Sequence, residues 1–130
     1  MAVRPEHGAD VAAVLARRHD NGADYWATPD RGLIKGGPFS TLGAARLLVE
    51  LGLDAADPVL ASTTDLIWSA WQDDGRFRLA PSGSIYPCQT AHAACTLAHL
   101  GQSADPRLVR TFEHLLATQF ADSGWRCNKF

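Results

Sequence analysis

Apolar residues recur at helical spacing in two segments of the chain, residues 41–51 and 90–100. Positions three and four apart fall on one face of a helix, so both segments are predicted to be α-helices. A glycine follows each, Gly52 and Gly101, as a candidate C-cap. Alanine and leucine dominate both stripes, so the two helices can approach a neighbour closely; the residues are Ala44, Ala45, Leu48 and Leu51, and Ala93, Ala94, Leu97 and Leu100.

A second pair of helices is predicted after two Asp-Pro dipeptides, Asp57-Pro58 and Asp105-Pro106. Aspartate is a favoured N-cap and proline suits the first helical position. Apolar positions then follow an i, i+4, i+7, i+8, i+11 pattern, which predicts one buried face on each helix. These positions are Val59, Thr63, Leu66, Ile67 and Ala70 in residues 57–71, and Leu108, Phe112, Leu115, Leu116 and Gln119 in residues 105–119.

The chain repeats itself at a distance of 49 residues, with eleven identities between residues 38–78 and 87–127. Such a period indicates a repeat architecture built from helical hairpins. An Asp-x-Gly turn follows each second helix, and an earlier one, Asp20-Asn21-Gly22, follows an apolar segment. We therefore predict a single domain over residues 1–130, with a half repeat at 9–26 and repeats at 38–78 and 87–127. No segment alternates with period two, so the predicted class is all-α.

Composition narrows the function classes. The 130 residues include 12 basic and 14 acidic side chains, a net charge of −2, without a basic run. Nucleic-acid and anionic-membrane binding are therefore not expected. No apolar stretch is long enough to span a bilayer, and the first residues lack the apolar core of a signal peptide. Three cysteines, an odd number, favour reduced thiols and a cytoplasmic location.

The loops after the second helices resemble the glutamine–tryptophan repeats of squalene and oxidosqualene cyclases. The resemblance lies in Trp68-x3-Gln72-x2-Gly75-x-Phe77 and Phe112-x6-Gln119-x4-Gly124-Trp125. The blocks at residues 36–41 and 85–90 are similar to bacterial proteins with prenyltransferase/squalene-oxidase repeats. The resemblance implies the α/α toroid of the terpenoid cyclase and protein prenyltransferase superfamily, whose helical hairpins form two concentric rings.

In that fold residues 41–51 and 90–100 would be inner helices, and 57–71 and 105–119 outer ones. A closed toroid takes more hairpins than the two and a half predicted here, and open repeat ends expose apolar faces. The resemblance thus implies an incomplete toroid: a fragment, a truncated gene product or one part of an assembly.

The loop residues of both repeats are expected to stabilise the fold. Glycine permits a turn with positive φ, the aromatic ring packs back across it, and glutamine bonds carbonyls at the helix end. The residues concerned are Gln72, Gly75, Phe77, Gln119, Gly124 and Trp125. Trp68 and Trp71 are likewise expected to pack between hairpins rather than to line a cavity.

The catalytic motifs of the resembled families are missing from the 130 residues. Neither Asp-x-Asp-Asp, Asp-Asp-x-x-Asp nor Cys-Gly-Glu-Gln occurs. The pair Asp73-Asp74 is predicted to be turn carboxylates. Residues 124–129 resemble the Gly-Arg-x-Asn-Lys run that precedes two zinc ligands in protein prenyltransferases, but those ligands would fall after Phe130. Whether the chain is an enzyme stays open.

One predicted helix carries a cluster of possible metal ligands. Cys88, His92, Cys95 and His99 are spaced i, i+4, i+7, i+11, and i, i+4 pairs on a helix can chelate a metal such as zinc. Cys127 is a further candidate ligand. The alternative is that these residues pack in the core. The first repeat has other residues at these positions, so the cluster is not part of the scaffold.

Three functions are compatible with the sequence. The first is a binding or interaction scaffold that self-associates or binds a partner protein through open repeat ends. The second is an isoprenoid enzyme whose catalytic residues lie outside this chain, with an isoprenoid or other apolar small molecule as ligand. The third is a metal-binding protein that uses Cys88 and His92.

Overall fold

A computed structural model describes residues 3–125 of the chain. It contains five α-helices, α1 (Gly8–Ala16), α2 (Thr41–Glu50), α3 (Pro58–Trp68), α4 (Pro87–His99) and α5 (Pro106–Ala117). Short 3-10 helices precede α1 and α2, at Pro5–His7 and Gly37–Phe39. Residues 3–125 contain no strand, so the all-α prediction is confirmed; their one bridge joins Trp71 and Phe77. No helix in this range is both long and apolar enough to cross a bilayer.

The two alanine-rich helices, α2 and α4, pack against each other at the centre of the molecule. Ala44, Ala45, Ala93 and Ala94 are all fully buried. Their methyl side chains let the helices pack closely without cavities. Helix α4 begins at Pro87, three residues earlier than predicted, because proline at the first helical position fits a helix start.

The second helix of each hairpin begins at its Asp-Pro dipeptide, as predicted. The carboxylate of Asp57 accepts a hydrogen bond from Val59 N at 3.0 Å, and that of Asp105 accepts one from Arg107 N at 2.8 Å. These N-caps satisfy amides that have no partner within the helix. Both helices are shorter than predicted and end at Trp68 and Ala117.

The repeat distance between α3 and α5 is 48 residues, so the 49-residue register is wrong for these helices. Thr63 and Thr111 are both fully buried, and each hydroxyl donates to the carbonyl four residues earlier. Leu60 and Leu108 are also both fully buried. The cause is the connection between the helices, which has seven residues in the first hairpin and six in the second. Helix α5 is one residue longer than α3, but the turns that follow keep the 48-residue distance, since their residues with positive φ are Gly75 and Ser123.

The predicted buried face is therefore correct for much of α3, whereas in α5 only Leu108 of the five predicted positions is buried. A shift of one residue turns a helix by about 100°, which moves a different set of side chains inward. In α3, Thr63 and Ile67 are buried as predicted. In α5, Leu108 and Thr111 are buried, whereas Phe112 is 45% exposed and Leu116 is 71% exposed.

The two hairpins are joined by the tryptophans that end the first one, as predicted. Trp68 Nε1 donates to Gln102 Oε1 at 3.0 Å, and the guanidinium of Arg107 lies 3.9 Å from the centre of the Trp68 ring. Trp71 Nε1 donates to the hydroxyl of Thr111 at 3.1 Å. The first hairpin is thus covered by the start of α5 and the loop before it.

Helix α1 packs on α2 and closes the N-terminal end of the helix array. The chain then turns at Gly22, and Trp26 is fully buried with its Nε1 donating to Val14 O. Arg18 holds Asp24 through two hydrogen bonds, of 2.7 and 3.0 Å. The exposed side chains of α1 are small except for Asp10, so this end carries no large exposed apolar side chain within the described residues.

Candidate functional site: an exposed apolar face at the end of the second hairpin

All four candidate metal ligands of α4 are exposed, so the interpretation as core packing is wrong. Cys95 Sγ lies 3.8 Å from His99 Nδ1, which also lies 2.8 Å from the carbonyl of Cys95. Cys88 lies two turns earlier, about 10 Å along the helix axis. Within residues 3–125 no three metal-binding side chains are close enough to share an ion. Cys127 lies outside the described residues, so the metal site stays a prediction.

A positive charge adjoins this helix face. Arg46 of α2 donates from Nη1 to Cys95 Sγ at 3.5 Å, and its Nη2 lies 3.9 Å from Glu50. Partial desolvation and the charge of Arg46 lower the pKa of His92, although its imidazole contacts solvent. The guanidinium of Arg46 beside the Cys95 thiol repels a metal cation at this helix face and would attract an anion.

The turn carboxylates serve the turn, as predicted for the Asp73-Asp74 pair. Asp74 accepts hydrogen bonds from the backbone and the side chain of Arg76, at 3.0 and 2.8 Å. Burial alone would raise the pKa of Asp74, but the hydrogen bonds from Arg76 outweigh it and lower the pKa. A carboxyl group that is ionised in this way is unsuited to protonating a substrate.

The loops between the hairpins enclose a depression of about 500 Å³. Thr28, Asp30 and Lys35 contribute to its lining, and another of its polar groups, the Asn21 amide, is occupied by backbone carbonyls. Asn21 Nδ2 lies 2.9 Å from Trp26 O, 3.1 Å from Lys35 O and 2.9 Å from Phe39 O. This side chain therefore ties the loops together and is not available to a ligand.

The exposed large apolar side chains of residues 3–125 all lie at the C-terminal end of the array. We call them the terminal face: Val109, Phe112, Leu116, Phe120 and Trp125. Three of them form an i, i+3, i+7 stripe along α5, and two follow in the turn after it. Monomeric proteins rarely leave apolar side chains clustered in this way, and such patches mark interaction sites.

A groove of about 590 Å³ adjoins the terminal face between α4 and α5. Its lining is almost entirely apolar: Pro87, Cys88, Ala91, Phe112, Leu115, Leu116 and Trp125. In the first hairpin the corresponding surface is covered. At the 48-residue distance, Leu116 corresponds to Trp68, which is 7% exposed. The Trp68 ring packs against the ring of Phe77, with 5.8 Å between the ring centroids.

The turn after α5 has the same backbone hydrogen bonds as the turn after α3, at a distance of 48 residues. Gly75 has a φ of +95°, as expected, but in the second turn the positive φ belongs to Ser123, at +69°, and not to Gly124. Gln119 Nε2 donates to Ser123 O and Trp125 Nε1 donates to Leu115 O. Gln119 thus stabilises the turn as predicted, whereas the ring of Trp125 also lines the groove.

Sequence reasoning missed the terminal face because the 49-residue register assigned Phe112 and Leu116 to a buried stripe. A signal for the correct register was present, since the two Asp-Pro dipeptides lie 48 residues apart. With the N-caps aligned, Leu116 corresponds to Trp68 and Phe112 to Thr64. The large side chains of α5 then fall outside the pattern of the first hairpin.

No protein-family model matches the chain, and no curated protein is significantly similar to it.

Proposed function

We propose that this chain is a repeat module of the terpenoid cyclase and protein prenyltransferase type that acts as a protein-interaction scaffold. The observation that carries the proposal is the terminal face. Two hairpins are built alike, yet the positions that the second hairpin covers on the first are exposed on the second itself. A partner that covers Phe112 and Leu116 would repeat an arrangement already present inside the chain.

The energetic gain from covering the terminal face is substantial. Moving one large apolar side chain from water into a packed environment contributes about 1.5–3 kcal/mol. Phe112 and Leu116 are both exposed and both adjoin a preformed groove. Exposed aromatic and aliphatic side chains beside a groove are the usual anchors of protein–protein interfaces.

The catalytic alternatives receive less support. The sequence lacks the aspartate motifs of terpene cyclases, and Asp74 is ionised and bonded to Arg76. An interaction function needs none of these groups. The scaffold interpretation therefore accounts for the residues of this chain without an unobserved catalytic residue.

Position-specific photo-crosslinking tests the proposal. We would replace Leu116 with p-benzoylphenylalanine, irradiate cells that produce the protein natively, and map crosslinked peptides by mass spectrometry. We expect reproducible crosslinks from position 116 to a defined protein segment. The matched control is the same replacement at Ala61, an exposed residue of α3 outside the terminal face. Equal crosslinking from both positions, or none from position 116, would contradict an interaction function.

A second candidate is the binding of an apolar small molecule, such as an isoprenoid, in the groove. Its volume of about 590 Å³ falls within the range of small-molecule sites, and its lining is apolar. The side chains of Ala91 and Leu115 form opposite walls, from α4 and α5.

Titration with squalene and with farnesyl diphosphate tests this candidate. An Ala91→Trp substitution fills the groove and should abolish binding, whereas Ala61→Trp adds the same ring elsewhere and should not. Calorimetry without heat of binding for either ligand on the unmodified chain would reject an isoprenoid site. Equal binding by both variants would place the ligand outside the groove.

A further inference from the structure

We propose that Cys95 is a site of S-thiolation at which Arg46 selects disulfides that carry carboxylate groups, such as oxidised glutathione. The Cys95 side chain is exposed on α4, and Arg46 reaches it from α2. The site thus forms where the two alanine-rich helices meet. Neither residue belongs to the terminal face or lines the adjoining groove, so this inference does not depend on the proposed scaffold function.

The guanidinium of Arg46 forms no hydrogen bond to an oxygen atom of residues 3–125. Nη1 donates to Cys95 Sγ at 3.5 Å, and sulfur is a weak acceptor. Nη2 lies 3.9 Å from Glu50 Oε1, too far for a hydrogen bond, and Nε is buried without a partner. Guanidinium groups pair with carboxylates through parallel N–H···O bonds, so Arg46 has unused capacity for an anion beside the thiol.

The two histidines of this helix face leave the selection of the reagent to Arg46. His99 Nδ1 lies 2.8 Å from the Cys95 carbonyl, which only accepts, so this nitrogen carries a hydrogen atom and cannot take the thiol proton. Partial desolvation and the charge of Arg46 lower the pKa of His92, which is therefore neutral at pH 7. Arg46 is thus the group that distinguishes this thiol from other exposed thiols.

The carboxylate of Glu50 weakens the attraction for an anion without cancelling it. Arg46 contacts the sulfur atom directly, whereas Glu50 contacts Arg46. The side chain of Glu50 is 61% exposed and that of Arg46 is 28% exposed, so water and salt screen the carboxylate more strongly. A carboxylate on the incoming disulfide therefore gains more from Arg46 than it loses to Glu50.

The reaction is a thiol–disulfide exchange. The thiol of Cys95 loses its proton to water, and the resulting thiolate attacks one sulfur atom of the disulfide. The new S–S bond forms as the old one breaks, and the second half of the reagent leaves as a thiolate. Cys95 is oxidised and the departing sulfur is reduced, so the reagent itself is the oxidant.

Reaction rates with an anionic and a neutral disulfide test the selection. We would substitute Cys88→Ser and Cys127→Ser so that Cys95 is the remaining thiol. We would then measure second-order rate constants with dithiobis(nitrobenzoate), which is anionic, and with dithiodipyridine, which is neutral. Both reagents meet the same fraction of thiolate, so changes in the ratio of the two rate constants report the attraction of the anion alone.

Variants of the charged residues should change this ratio in opposite directions. Arg46→Gln should lower the anionic-to-neutral ratio about three- to tenfold, whereas Arg46→Lys keeps the charge and should hold it within about twofold. Glu50→Gln should raise the ratio about twofold. Equal falls with both reagents in Arg46→Gln would show that Arg46 acts on the thiol alone, and unchanged rates would show no action at all; either result overturns the selection of anions.

Cys88 provides the matched control. In a chain with Cys95→Ser and Cys127→Ser, Arg46→Gln should change the ratio less than about twofold, because Cys88 lies about 10 Å further along α4. An equal change at both cysteines would overturn a site specific to Cys95. Circular dichroism checks the folding of each variant.

Two measurements need no substitution of Arg46. Raising the salt concentration to about 1 M should lower the ratio at Cys95 about threefold or more, because salt screens the charge of Arg46. Oxidised glutathione should modify Cys95 of the unmodified chain faster than Cys88, as peptide mass spectrometry would show. A ratio independent of salt, or equal modification of the two cysteines, would overturn the proposal.

Discussion

The two hairpins of this molecule share a scaffold and differ in what covers them. Each consists of an alanine-rich helix and a second helix with an aspartate N-cap, a buried leucine and a buried threonine at equal positions. The first hairpin is covered by the second through Trp68 and Trp71. The second ends in the terminal face. Residues that agree between the hairpins build the fold, and residues that differ reveal where a partner can bind.

The largest expected difference concerns Trp68 and its counterpart Leu116. Trp68→Ala removes a buried ring together with its hydrogen bond to Gln102, and should cost about 3–5 kcal/mol of unfolding free energy. Leu116→Ala changes an exposed side chain and should cost less than about 0.5 kcal/mol in the monomer. Urea denaturation at low protein concentration measures both. Similar costs would show that Leu116 is buried in the monomer and would break the comparison.

The two turn glycines provide the next test. Gly75 has positive φ, and a Cβ there would lie 2.8 Å from Arg110 O, against the backbone of the second hairpin. Gly75→Ala should therefore destabilise the protein by about 2–3 kcal/mol. At Gly124 a Cβ would meet a carboxylate oxygen of Asp122 at 3.2 Å, which a side-chain movement relieves. Gly124→Ala should change stability by less than about 0.5 kcal/mol, and thermal unfolding of the pair of variants checks the contrast.

The smallest effect concerns an N-cap that the hairpins share. The side-chain hydrogen bond from Arg107 holds the pKa of Asp105 below its usual value. A lowered pKa in the folded state means that this group stabilises the fold above its unfolded pKa of about 3.9 and loses that contribution as the pH falls. We expect Asp105→Ala to cost about 1 kcal/mol at neutral pH and progressively less below about pH 4. A cost that stays constant from pH 7 to pH 2 would show that the ionised carboxylate has no part in the cap.

Much of this architecture could be predicted from local sequence signals. Periodic alanine and leucine residues identified α2 and α4, and Asp-Pro dipeptides identified the starts of α3 and α5, because these signals act within one or two turns of chain. The burial of α5 could not be predicted in the same way. Which face of a helix is covered depends on its neighbours and on the length of the preceding connection.

The candidate site shows the same contrast between local sequence signals, which can be predicted, and contacts between distant segments, which cannot. Cys88, His92, Cys95 and His99 were correctly placed on one helix, but their exposure depends on where α4 lies relative to α2 and α5. Arg46 approaches Cys95 from 49 residues away in sequence, and no local pattern reports such a contact. The exposure of Leu116 likewise depends on contacts between distant segments, since its counterpart Trp68 is buried against the second hairpin.

Paramagnetic NMR with a soluble, uncharged gadolinium chelate tests the central claim most directly, because the chelate broadens the signals of solvent-exposed methyl groups. Val109 and Leu116 are exposed on α5, whereas Leu108 on the same helix and Leu60, its counterpart on α3, are fully buried. At low protein concentration the account predicts strong broadening of the methyl signals of Val109 and Leu116 and little broadening of those of Leu60 and Leu108. Equal protection of Leu108 and Leu116 would contradict it.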